Sequence, residues 1–248
     1  MVSGNASDAG GATSSLMKPV ILVANLAGGV GKTTLTQAIS TAAAEYGKKT
    51  VAIDADPNAA LTFLSGIENP RFTLREVIEK SISIKDCAVR TVDRYSLIPS
   101  ASRLLFVEGR MPSIESEEFD LAVIDSGSGP TSLLPTLIEA ATNILIPVDG
   151  TILAMRGALN FKNFITKSKQ SVDIKVVPNN GRNLGDLSEL LIQLKEDFAF
   201  TESQIAFDLT VNQAHEELQS PLGYATNSEF ASNIRELTYE ILDELKLI

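Results

Sequence analysis

The sequence predicts an α/β domain: one doubly wound, mainly parallel sheet flanked by helices. Three observations carry this. Short apolar runs rich in β-branched residues recur near residues 19–25, 50–53, 119–124, 143–148 and 174–177, alternating with helical stretches. These runs are nearly continuous in their apolar character, as strands covered on both faces are. At 248 residues and 44% hydrophobic content, the chain is long enough for one sizeable core. Residues 18–248 therefore read as a single domain. The small, polar stretch at 1–17 has no apolar segment of signal-peptide type and reads as a flexible tail.

The chain is organised around residues 20–34, VILVANLAGGVGKTT. A buried strand hands over to a helix through a glycine-rich turn, the pattern of a phosphate loop. Gly28, Gly29, Val30 and Gly31 offer backbone N–H groups to phosphate oxygens, and Lys32 can reach the β/γ-phosphates. The Thr33 hydroxyl is placed to hold Mg²⁺, and Thr34 continues the helix start. The usual spacing wants a glycine five places before Gly31, but Leu26 stands there and the glycines are paired at Gly28-Gly29.

After this loop, residues 32–46 form an alanine-rich helix stopped by Gly47. A strand at 50–53 ends on Asp54-Ala55-Asp56-Pro57, which puts two carboxylates where open α/β sheets collect ligands. Helices follow at 61–65 and 73–81, the second with Thr73 and Glu76 as a capping box. Residues 94–99 suggest a weaker strand, and 100–110 suit either helix or loop. The strand at 119–124 then delivers Asp125 into a Ser-Gly-Ser-Gly-Pro turn. Helices at 133–141 and 154–168 separate the remaining strands, the last of which ends at Pro178-Asn179 and is followed by a helix at 187–198. Phe230, Ile234, Leu237, Ile241 and Leu245 make an apolar stripe at helical spacing.

Composition narrows the function classes. A net charge of −10 argues against a protein that coats nucleic acid with its whole surface, although a local basic patch stays open. Cys87 is the only cysteine, so no internal disulfide or cysteine cluster forms within one chain, and a reduced cytoplasmic setting follows. No uncharged apolar segment reaches about 18 residues, so none spans a membrane.

AGGVGKTT at 27–34, DADP at 54–57, VIDSGSG at 123–129 and IPVDG at 146–150 together resemble the ParA/MinD family of deviant-Walker ATPases. VVPNNGRN at 176–183 is similar to the family's later half more loosely. The resemblance implies a P-loop NTPase fold over residues 18–248, with ATP and Mg²⁺ as ligands. It also implies slow hydrolysis stimulated by a small ParB-like adaptor, an ATP-dependent homodimer, and positioning of a DNA or protein cargo on non-specifically bound nucleoid DNA. By the same resemblance, Lys32 binds β/γ-phosphate, Thr33 holds Mg²⁺, and Asp56 orients or activates the attacking water. Asp54 and Asp125 stand near Mg²⁺, and Pro178 and Asn179 frame the adenine. One departure stands out. The family's cross-dimer lysine falls on Ala27, so another cation such as Arg156 takes its place, or stabilisation across the dimer is missing, or the position has been altered.

Plainer expectations stand beside these. Lys162, Lys167 and Lys169 are candidate DNA contacts, yet such a run is usually a solvated helix face. His215 reads as a surface residue and Cys87 as an ordinary, partly buried thiol. The terminal helix carries Glu236, Glu240, Asp243 and Glu244 on its polar face, unlike a membrane-surface helix, and is expected to pack on the core. Competing functions are a MinD-like membrane organiser, a small-molecule ligase on the same scaffold, and a nucleotide-gated interaction module with little hydrolysis.

Overall fold

A computed structural model describes residues 18–112, 118–167, 172–180 and 188–248. The expected tail at 1–17 lies outside the described residues. β1 (Val20–Val23) runs through the glycine loop into α1 (Lys32–Glu45), followed by β2 (Thr50–Ala55), α2 (Ala60–Leu64), α3 (Leu74–Lys80), α4 (Ile84–Cys87), β3 (Val89–Arg90) and β4 (Ser96–Ile98). A 3-10 turn at Ser102–Phe106 precedes β5 (Leu121–Ser126), α5 (Leu134–Ala140), β6 (Asn143–Val148), α6 (Ile152–Lys167) and β7 (Asp173–Pro178). The last stretch holds α7 (Ser188–Leu194), β8 (Ala199–Phe200), α8 (Thr210–Glu216), α9 (Pro221–Tyr224) and α10 (Glu229–Glu244).

The strands form one sheet in the order β3-β4-β2-β5-β1-β6-β7-β8. Every neighbouring pair is parallel except β3 and β4. Parallel strands open their carboxyl ends on a single edge, so the loops after β1, β2, β5, β6 and β7 converge there. Strand side chains alternate between faces. Val20 and Leu22 accordingly enter one core, while Ile21 and Val23 enter the other.

The second core shows why the terminal helix is needed. Phe230, Ile234, Leu237 and Ile241 are buried against α1 and the sheet, and Leu245 is partly covered at the helix end. Burying each such side chain fully contributes about 1.5–3 kcal/mol. The stripe therefore packs on the core, as its spacing predicts. α1 also ends where glycine predicts: Gly47 has φ 79°, and the N–H of Lys48 donates to the Ala43 carbonyl at 3.0 Å.

The capping box at the start of α3 forms, with the Glu76 carboxylate accepting from Thr73 N at 3.0 Å and Thr73 Oγ1 at 2.8 Å. The region around residues 82–118 is where the pattern was least informative. β3 consists of two exposed residues on an antiparallel edge, too short to show a period. The helix-or-loop segment at 100–110 contains a 3-10 turn that buries Leu104 and leaves Leu105 and Phe106 exposed.

Candidate nucleotide site

The loop after β1 owes its shape to specific glycines. Gly29 and Gly31 have φ of 74° and 90°, the left-handed region that side chains with a Cβ avoid. A Cβ on Gly31 would also sit 2.4 Å from Asn179 Nδ2. The loop therefore curls tightly and presents its N–H groups at the start of α1, where anions are favoured.

Asn25, which the sequence did not single out, anchors this loop to β6 and α6. Its Nδ2 donates to the carbonyls of Pro147 at 2.9 Å and Ala154 at 3.1 Å, and its Oδ1 accepts from Ala27 N at 2.9 Å. Gly157 on α6 makes this approach possible, since a Cβ there would lie 2.2 Å from Asn25 Oδ1 and 2.7 Å from Ala27 N. A buried asparagine closing an apolar strand is the only trace of this in the sequence.

Lys32 is buried, and its Nζ donates to the Ala27 carbonyl at 2.8 Å and to Ser128 Oγ at 3.2 Å. Burial pulls its pKa below that of an ordinary lysine, while Asp125 and Asp56 oppose that shift. Ser128 is a second residue the sequence reading missed. Asp125 sits in register with Asp54 across β5 and β2, fully buried, and neither of its oxygens makes a well-formed hydrogen bond. Burial, followed by the charge of Asp54, pushes its carboxyl well above the usual range; Thr33 and Lys32 favour its charged form. An unspent carboxylate of this kind costs free energy until a cation or donor meets it.

The other two carboxylates are positioned differently. Asp54 is turned into its own loop, with Oδ1 accepting from Asp56 N at 3.1 Å and Oδ2 from Thr62 N at 2.8 Å and Thr62 Oγ1 at 2.7 Å. Burial raises its pKa to about 6. It acts on the shape of the turn after β2, which sharpens the expectation that placed it near the metal. Asp56 Oδ1 accepts from Asn58 N at 2.8 Å and Asn58 Nδ2 at 2.9 Å. Gly29, Gly31, Lys32, Thr33, Thr34, Asp56 and Ser128 line one compartment of about 240 Å³.

The residues at the end of β7 meet both the phosphate loop and a second cavity. Asn179 donates its Nδ2 to the Val30 carbonyl at 2.8 Å, pinning β7 to the phosphate loop. It also borders a second cavity of about 170 Å³, so it holds the cavity wall with a donor already in use. Pro178 closes β7 just before it. His215 is not a surface residue: it is half-buried on α8 and lines that second cavity, with Nε2 buried and unpartnered. Cys87 is buried more deeply than expected, which raises its thiol pKa to about 12.

The basic helix is less available than its sequence suggests. Lys162 Nζ lies 2.8 Å from Asp197 Oδ1 and 5.4 Å from the centre of the Phe198 ring. Lys167 is the last residue of α6, and Lys169 lies outside the described residues. Arg156 is exposed on α6, one residue before the glycine that packs on Ala27.

Among the described residues, no group of three or more His, Cys, Asp or Glu side chains is placed to hold a metal. A hydroxyl beside one unspent buried carboxylate suits a Mg²⁺ that keeps its waters and is carried in largely by phosphate oxygens. Glycine N–H groups, a buried lysine and that donor pair, gathered at a helix start on the carboxyl edge of a parallel sheet, define a nucleotide-binding α/β domain. Residues 18–177 match the model of a family described as an AAA domain, and the chain belongs to that family, in the ParA/MinD group.

Maintenance of carboxysome distribution protein A of Synechococcus elongatus is 30% identical over 165 residues, a match covering 60% of this chain and 66% of that relative. The cell division ATPase MinD of Pyrococcus furiosus superposes with a TM-score of 0.80 at 23% identity, covering 92% of this chain and 100% of that one. Cobyrinic acid a,c-diamide synthase from Mycobacterium smegmatis, solved with bound ADP and magnesium, gives 0.72 at 23% identity, covering 93% and 96%. At these identities the two solved structures speak for the fold alone. No helix among the described residues is long and apolar enough to cross a membrane.

Proposed function

We propose that this chain is a ParA-like ATPase that binds Mg²⁺-ATP, hydrolyses it slowly and uses the cycle to position a DNA or protein cargo. The observation that carries this is the gathering of buried Lys32, Thr33 and Asp56 on one compartment of the glycine loop, with the unspent Asp125 buried behind Lys32 and Thr33. In this reading the loop N–H groups and Lys32 hold the β/γ-phosphates. Lys32 would exchange its bonds to Ala27 and Ser128 for bonds to phosphate oxygens. Mg²⁺, held through Thr33 with Asp125 behind it, would neutralise phosphate charge as the terminal bond breaks. Asp56, steadied by Asn58, orients the attacking water and takes up its proton. Positioning and charge neutralisation supply most of the rate in phosphoryl transfer, which matches a site built chiefly of fixed donors.

The carboxysome-distribution relative supports positioning as the cellular role. On this reading ATP joins two copies, a small adaptor stimulates hydrolysis, and the dimer binds nucleoid DNA without sequence preference in the cytoplasm. Arg156 is the cation we assign across the dimer in place of a lysine at Ala27. The test is retention on arbitrary duplex DNA with ATP and with ADP over a range of salt. ATP-specific, salt-sensitive retention is expected; none at low salt would sink the DNA-based role. Light scattering in ATP should show a dimer that Arg156→Ala weakens while ATP affinity holds. A second reading, a nucleotide-gated module with little hydrolysis, is favoured by Ala27, which brings no cation to the loop. Wild-type hydrolysis no faster than the spontaneous rate, and no slower in Asp56→Ala, would establish it.

A further inference from the structure

The phosphate compartment and the smaller cavity share Gly29, Gly31 and Thr34. The two cavities therefore adjoin, and a nucleotide with its phosphates in the first has the second beside it for its nucleoside. The cavity's far wall comes from late in the chain, with Phe207, His215 and Phe230 joining Asn179. Apolar rings there give a base a surface to lie on, but they do not discriminate between bases.

Of the polar side chains on the cavity, Thr34 belongs to the start of α1, Asn212 is exposed to solvent, and Asn179 and Asp208 are committed elsewhere. Asn179 spends its Nδ2 on the Val30 carbonyl. Asp208 Oδ1 accepts from Thr210 N at 2.9 Å and Thr210 Oγ1 at 2.7 Å, and its Oδ2 from Phe230 N at 3.5 Å. His215 differs, because its Nε2 is buried without a hydrogen-bond partner. Native proteins rarely leave such an atom unpaired, since a buried unsatisfied nitrogen costs about 1–3 kcal/mol.

We propose that His215 is the specificity-determining residue of the nucleoside cavity, its Nε2 forming a hydrogen bond with the ribose or base of the nucleotide whose phosphates lie on residues 28–34. The assignment rests on the nucleotide-binding reading above. Burial lowers the pKa of His215, which keeps the imidazole neutral, so Nε2 can serve as donor or acceptor according to tautomer. A neutral partner of this kind suits an uncharged hydroxyl or ring edge and adds nothing to phosphate binding.

Calorimetric titration of the full chain tests this, using ATP, 2′-deoxyATP, 3′-deoxyATP, purine riboside triphosphate and inorganic tripolyphosphate, each with Mg²⁺. His215→Leu should weaken ATP roughly three- to tenfold, the scale of one neutral hydrogen bond, and leave tripolyphosphate unchanged. His215→Gln, which carries an amide near the place of Nε2, should recover most of the loss. If a deoxy analogue binds the wild type and His215→Leu equally, the partner is the ribose; if purine riboside triphosphate does, it is the 6-amino group of the base; if every analogue keeps the difference, it is a ring nitrogen of the base. ATP binding unchanged by His215→Leu, or ATP and tripolyphosphate weakened together, overturns the assignment. Wild-type protein that binds neither ligand overturns the nucleotide reading itself, a separate and recognisable result.

Discussion

The two halves of the proposed nucleotide cleft are built by different means. At the phosphate end the backbone does most of the shaping: two glycines at positive φ, a buried lysine with two acceptors, and Asp54 held by three donors. At the nucleoside end the walls come from β7, the stretch before α8, α8 itself and α10, and a buried nitrogen is left without a partner. Phosphate groups are the same on every nucleotide, so a rigid, preorganised cradle suits them. Discrimination has to come from the other end, where side chains from distant segments meet.

Perturbing each end separately should widen or erase this contrast. The largest effect is expected from Asp56→Ala, which should lower single-turnover hydrolysis by about 10²–10⁴-fold with ATP affinity retained, read by quench-flow beside equilibrium binding. Normal hydrolysis in that variant would remove Asp56 from the mechanism. Lys32→Ala should weaken ATP and tripolyphosphate alike, on the order of a hundredfold, because charge-assisted bonds to phosphate are lost. Loss of ATP binding alone would place Lys32 at the wrong end of the cleft.

Gly157→Ala tests the tie between α6 and the loop. In an open helix the change stabilises by roughly 0.5–1 kcal/mol. Here the new methyl would meet Asn25 Oδ1 and Ala27 N at 2.2 and 2.7 Å, so the sign should reverse to a loss of about 1–3 kcal/mol in denaturant unfolding. The smallest effect belongs outside the cleft. Lys162→Ala removes an exposed pair with Asp197 and should cost under about 1 kcal/mol. A marked fall in DNA retention from that single change would return Lys162 to the DNA surface despite its ion pair.

The same contrast explains which features were legible beforehand. β1, β5 and β6 announced themselves as apolar runs because both faces of each are covered, and the stripe on α10 because one helix face is. Thr73 and Glu76 were readable as a cap since they stand three residues apart. β3 was not, because two exposed residues leave no pattern. Lys162 looked free in the sequence because Asp197, its partner, lies 35 residues away.

By itself the sequence determined the α/β class, the phosphate loop, and the carboxylates at the ends of β2 and β5. These depend on periodicity and short spacings, which are properties of neighbours along the chain. Only the tertiary structure decided that Asp54 faces its own turn and leaves Asp125 unspent. It also decided that Asn25 and Gly157 clamp the loop to α6, and that Asn179 reaches across 149 positions to hold Val30. His215 looked like a surface residue beside two glutamates until α8 was folded against the loop. Burial and the absence of a partner arise from surfaces that meet only after the sheet has formed, and no local pattern encodes them.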